Sequence, residues 1–151
     1  MGGNAQPSQP RAYGSIPHLP GSRTGPSDKH LDPGQAWRYL ERARDRRDHV
    51  VVQEKLDGSC VAVVRAGDEL VAVGREGALA SASQWEGRRL FADWVAQEAQ
   101  QRRFRAVLEP GERLVGEWLA IAHSTRYALV HEPFVAFDLM RGAVRLPFAS
   151  L

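Results

Sequence analysis

The segment EKLDGS, residues 54–59, separates two runs of β-branched residues, 50–52 and 61–64. At its centre is Lys55. The chain has 18 arginines and only two lysines, so wherever positive charge alone was needed it almost always used arginine. An arginine keeps its proton in a protein, whereas a lysine partly desolvated between two strands can become a neutral amine and attack phosphorus or carbonyl carbon. Gly58 suits a tight turn with its backbone close to a ligand, and Asp57 favours the turn and is placed to orient the amine.

Three further segments carry chemistry. Arg75 ends an apolar strand in VGREG, where a guanidinium can meet an anionic ligand or simply emerge into water. Glu117 lies in RLVGEWL directly after a glycine, amid apolar residues. An unpaired carboxylate there costs several kcal/mol, so it meets a buried partner or faces a ligand cavity. Phe137 and Asp138 follow in FVAFDL. In order along the chain these supply a nucleophilic amine, an arginine for phosphate or sugar, a carboxylate for ribose hydroxyls and an aromatic face for a base. The loop YGSIPHLPGSRTGP adds His18 and Arg23, which either lend themselves to a phosphate or belong to a plain connector.

The elements that position these residues read as an α+β fold, a largely antiparallel sheet with flanking helices. Residues 1–12 are Gly, Pro, Gln and Asn with little to bury, a disordered tail. Asp32 and Pro33 start a helix running to about residue 47, with Ala36, Trp37, Leu40 and Ala43 on one side. The sheet begins near Val50, with Lys55 between its first two strands. AGDE is a hairpin turn into a strand from Glu69 to about Arg75. A second helix spans about residues 85–103, its apolar positions Leu90, Phe91, Trp94 and Val95 at the spacing of one buried face. Strands follow over residues 113–119 and around FVAFDLM, with a Pro110–Gly111 turn ahead of the first.

At 151 residues and 16.7 kDa the chain has room for one ordinary domain or a piece of a larger one. A hydrophobic fraction of 43% with 25% charged residues excludes a wholly disordered protein. The formal net charge of +2 permits nucleic acid without requiring it. Cys60 is the sole cysteine, which rules out an internal disulfide framework or a cysteine metal cluster, reads as a small core residue, and fits a reducing cytoplasm. No apolar run reaches the length of a membrane span, and the first residues lack the features of a signal peptide.

With these motifs in order, the chain resembles the ATP-dependent RNA ligase family of the covalent nucleotidyltransferase superfamily. EKLDGS resembles the lysine motif that takes AMP, GREG the arginine segment after it, GEW the third motif, and FVAFDL the aromatic motif that stacks on adenine. The run GEWLAIAHSTRYALVHEPFVAFDL, with His123 and Tyr127, is more similar to RNA ligases than to DNA ligases or capping enzymes, and PHLPGSR resembles a segment ahead of the lysine in bacterial and phage RNA ligases. The resemblance implies that residues 13–151 are a partial RNA ligase-like nucleotidyltransferase domain, the N-terminal part of an ATP-grasp-like ligase domain with an AMP pocket between strand ends. It implies that Lys55 forms a lysyl-AMP from ATP with Mg²⁺ or Mn²⁺. AMP then passes to a 5′-phosphate RNA end and a 3′-hydroxyl displaces it, chemistry used in RNA repair. Arg75 and Glu117 would contact the AMP phosphate and sugar, Phe137 would stack on adenine, and Glu54 would lie beside the base; family members vary at Asp57. The family's later acidic and lysine motifs lie downstream of the aromatic one, and no lysine follows Lys55. The expectation is therefore a front portion of the domain that does not ligate RNA alone. An ATP-dependent DNA ligase fragment and a non-catalytic nucleotide- or RNA-binding remnant are the alternative readings.

Overall fold

Asp32 accepts a hydrogen bond from the Gly34 amide at 2.8 Å and caps α1 (Pro33–Leu40), with Pro33 at its first position. The helix expected to reach residue 47 stops at Leu40. Beyond it the Asp48 carboxylate accepts the Arg44 amide at 2.9 Å and Asp45 accepts the Arg47 amide at 2.6 Å. These local bonds compete with the helical ones and end the helix. Ala36 is buried, whereas Trp37 and Leu40 are exposed. The structure, a computed structural model, describes residues 11–42 and 44–151. Ala43 and all of the expected tail except Arg11 and Ala12 lie outside the described residues.

The described residues form two compact units, Gly14–Lys55 and residues 11–13 with Leu56–Leu151. In the first, His18 and His30 form a parallel bridge, with Leu31 N donating to His18 O at 2.8 Å and His18 N to Lys29 O at 2.7 Å. Residues 50–52, expected as a strand, are irregular and exposed, Val52 at 88%. A β-branched run becomes a strand only where a ladder partner is free. The following strand already has a neighbour on each edge.

The second unit is a five-stranded antiparallel sheet. Gly67, at a φ of 63° that glycine tolerates without strain, turns β1 (Ser59–Ala66) into β2 (Glu69–Gly74), as the AGDE turn predicts. Two helices follow, α2 (Glu86–Ala96) and α3 (Glu98–Val107), where one was expected. The break is Gln97, in extended conformation, ending one helix and starting the next. It lets Phe91 and Val95 of α2 and Phe104 of α3 reach one core. Then come β3 (Glu112–Trp118), β4 (Phe134–Arg141), the short β5 (Val144–Arg145) and a 3-10 turn at Phe148–Ser150. The strand order is β2-β1-β3-β4-β5. The β3–β4 register shifts at Val115/Gly116, so that Phe137 is the extra residue of β4.

The alternation of strand side chains gives two apolar clusters. Val61, Val63, Trp118 and Leu139 pack with Phe91, Val95, Phe104 and Leu108 of the helical layer. Each such fully buried side chain contributes about 1.5–3 kcal/mol. Ala62, Val73 and Val115 pack with Ala12 and Tyr13, joined by the half-buried Cys60 and Phe137. Arg113 holds this N-terminal strap: its buried guanidinium donates to Ala12 O at 2.7 Å and Gly142 O at 2.6 Å. No helix among the described residues is long and apolar enough to cross a membrane.

Candidate functional site

The three residues Asp57, Gly58 and Ser59 are held from both backbone and side chain. Asp57 N donates to the Tyr127 hydroxyl at 2.8 Å, and the Asp57 carboxylate accepts Ser124 N at 3.0 Å together with the Ser124 hydroxyl. Gly58 N donates to Glu117 Oε1 at 3.0 Å, and Ser59 Oγ lies 3.1 Å from His123 Nε2. The loop is therefore fastened to the end of β3 and to the β3–β4 connection. Gly58 is required by this approach. A Cβ there would stand 2.4 Å from the Trp118 carbonyl oxygen and 2.8 Å from Leu119 Cδ2. The backbone of Trp118 is thus a close neighbour of Gly58.

Glu117 is half-buried, and its Oε1 accepts the Gly58 amide, so the carboxylate has a backbone partner within the apolar strand. The fully buried carboxylate of β3 is Glu112, which accepts Glu109 N at 2.8 Å and Arg141 at 2.7 Å. Glu117 faces Cys60 across the β1–β3 ladder. Burial first, then the nearby Glu117 charge, pushes the Cys60 thiol up to about 11, against the opposing charges of Arg75 and Arg88. The sheet thus places Arg75 and Glu117 each within electrostatic reach of Cys60.

Phe137 joins the same apolar cluster as Cys60 and meets the Tyr13 ring edge-on, with centroids 5.3 Å apart. Next to it, Asp138 accepts the Tyr13 hydroxyl and pairs with Arg145 at 3.0 Å. Burial, reinforced by the bond to Asp138, raises the Tyr13 hydroxyl well above the usual phenol range. Tyr13 N also bonds to Arg75 O at 3.2 Å, so the strap touches two of the expected ligand-binding positions, Arg75 and Phe137. A separate groove of about 290 Å³ on the helical side, lined by Trp94, Phe104, Leu114 and Phe134, contains none of the expected site residues.

The remaining expected residues belong to the Gly14–Lys55 unit. Lys55 and Glu54 are exposed at its end, in an irregular segment, and Lys55 does not lie between two strands. His18 is half-buried, with Nε2 3.9 Å from Asp28 Oδ2, and Arg23 is exposed. Sequence reasoning missed Arg88, whose guanidinium carbon lies 3.3 Å from where a Gly74 Cβ would be. It also missed Ser124, although the polar run HSTRY between two apolar strands marks the place.

A family model described as RNA ligase matches residues 48–148, a span that includes Lys55, the loop after it, Arg75, Glu117 and Phe137. The chain belongs to the RNA ligase family. Membership in the RNA ligase family implies use of a nucleotide and an RNA substrate. No curated protein and no solved structure matches the chain.

Proposed function

We propose that this member of the RNA ligase family takes AMP from ATP onto Lys55 and passes it to the 5′-phosphate of an RNA end. The Lys55 Nζ lone pair attacks the α-phosphorus, the bond from that phosphorus to the bridging oxygen breaks, pyrophosphate leaves and the amine gives its proton to solvent. The 5′-phosphate oxygen of the RNA then attacks the same phosphorus and displaces Lys55. In the family's full reaction a 3′-hydroxyl then attacks the activated phosphate, sealing the strands and releasing AMP, a step that this chain is not expected to perform alone. In this reading Arg75 serves the phosphate, Glu117 the ribose hydroxyls and Phe137 the adenine; Glu54 lies beside the base, and Arg23 and His18 meet the RNA.

The observation that carries the reading is the bond from Gly58 N to Glu117 Oε1. It ties the loop that follows Lys55 in sequence to the carboxylate assigned to the nucleotide, within the span of the family match. A divalent ion, Mg²⁺ or Mn²⁺, offsets the charge that develops on the phosphates. Among the described residues no three His, Cys, Asp or Glu side chains gather to hold one.

The test is transfer from ATP labelled at the α-phosphate, with a divalent metal and 5′-phosphorylated strands. Label is expected on the protein and on RNA. Transfer only to nicked DNA would indicate a DNA ligase, and no label on protein or strand would leave a nucleotide- or RNA-binding remnant.

A further inference from the structure

We infer that Ser124 and Tyr127, in the connection between β3 and β4, are positioning residues for the nucleophile loop. The inference rests on the proposed role of Lys55 and adds residues that the ligand-binding set does not contain. Leu56 is the single residue between Lys55 and Asp57, and Asp57 is fixed at two atoms. Its amide donates to the Tyr127 hydroxyl at 2.8 Å, and its carboxylate accepts both the amide and the hydroxyl of Ser124. Two more bonds continue the arrangement: Gly58 to Glu117, and Ser59 to His123. Three successive residues are thus fastened by four side chains that come after β3's midpoint, 59 to 70 residues away in sequence.

The Asp57 carboxylate accepts the Ser124 amide and hydroxyl, which fixes the backbone two residues beyond Lys55. Ser124 and His123 are exposed and Tyr127 is half-buried, so removing one hydroxyl leaves the apolar clusters intact. Their loss acts on geometry. An in-line attack on phosphorus requires the reacting atoms at near-attack distance, and a displacement of about 1 Å can slow a reaction about 100-fold.

The experiment compares the full chain with Ser124→Ala, Ser124→Thr and Tyr127→Phe in single-turnover formation of the labelled lysyl-AMP, alongside thermal melts. Ser124→Ala and Tyr127→Phe are expected to lower the maximal rate about tenfold or more while KM for ATP stays within about twofold. Ser124→Thr keeps the hydroxyl and recovers most of the rate. The inference is overturned if both hydroxyl deletions keep the unaltered rate, if KM rises as much as the rate falls, or if the loss tracks a lowered melting temperature. If the unaltered chain forms no adduct, the proposed function fails instead. The clamp is then judged by hydrogen exchange at the Asp57 and Gly58 amides. Protection that Tyr127→Phe removes at Asp57 supports it, and unprotected amides in the unaltered chain overturn it.

Discussion

Cys60 lies among four charges, Glu117 and Glu76 on one side of the balance and Arg75 and Arg88 on the other, with burial as the largest influence. With its thiol at about 11 in the folded chain and 9.0 as the ordinary value, it holds its proton across a window where the unfolded chain has lost it. Stability from this group is complete below pH 9 and declines as pH rises toward 11. Folded protein at pH 8 should alkylate slowly at Cys60 and unfolded protein quickly; equal rates would contradict the burial described here. The core character of Cys60 was legible because its own strand is apolar. The partners of Asp57 were not, because Ser124 and Tyr127 stand 67 and 70 residues away and meet it only through the β1–β3 pairing.

The loop of residues 57–59 depends at the next scale on how closely it approaches the end of β3. Gly58→Ala places a methyl 2.4 Å from the Trp118 carbonyl oxygen, a backbone atom that cannot swing aside as a side chain would. The variant should lose about 1–3 kcal/mol in denaturant unfolding and form adduct more slowly. A stability equal to the unaltered chain would mean that the loop and strand are farther apart. Strand and hairpin positions were readable here, since β2, β3 and β4 each lie within a residue or two of the apolar runs that predict them. Two of the differences have a common cause. The helix break at Gln97 and the irregular state of residues 50–52 are settled by which partners tertiary structure offers, and local propensity does not carry that information.

For the whole molecule, chain ends far apart in sequence close one face of the sheet. Tyr13 reaches Asp138 and Arg145, and Arg113 holds the Ala12 carbonyl, so the N-terminal strap and the β4–β5 hairpin stabilise one another. That strap borders Arg75 and Phe137, which couples the fold's closure to the surface assigned to the nucleotide. The family could be read from the order of the motifs, and the match over residues 48–148 bears it out. The central claim concerns one amine. The chain offers only Lys29 and Lys55 as lysyl acceptors, so the decisive measurement is peptide mass spectrometry after incubation with ATP and a divalent metal. The account predicts an acid-labile, alkali-stable AMP adduct on the peptide carrying Lys55, absent in Lys55→Ala. AMP on Lys29, or an adduct that survives Lys55→Ala, would contradict it.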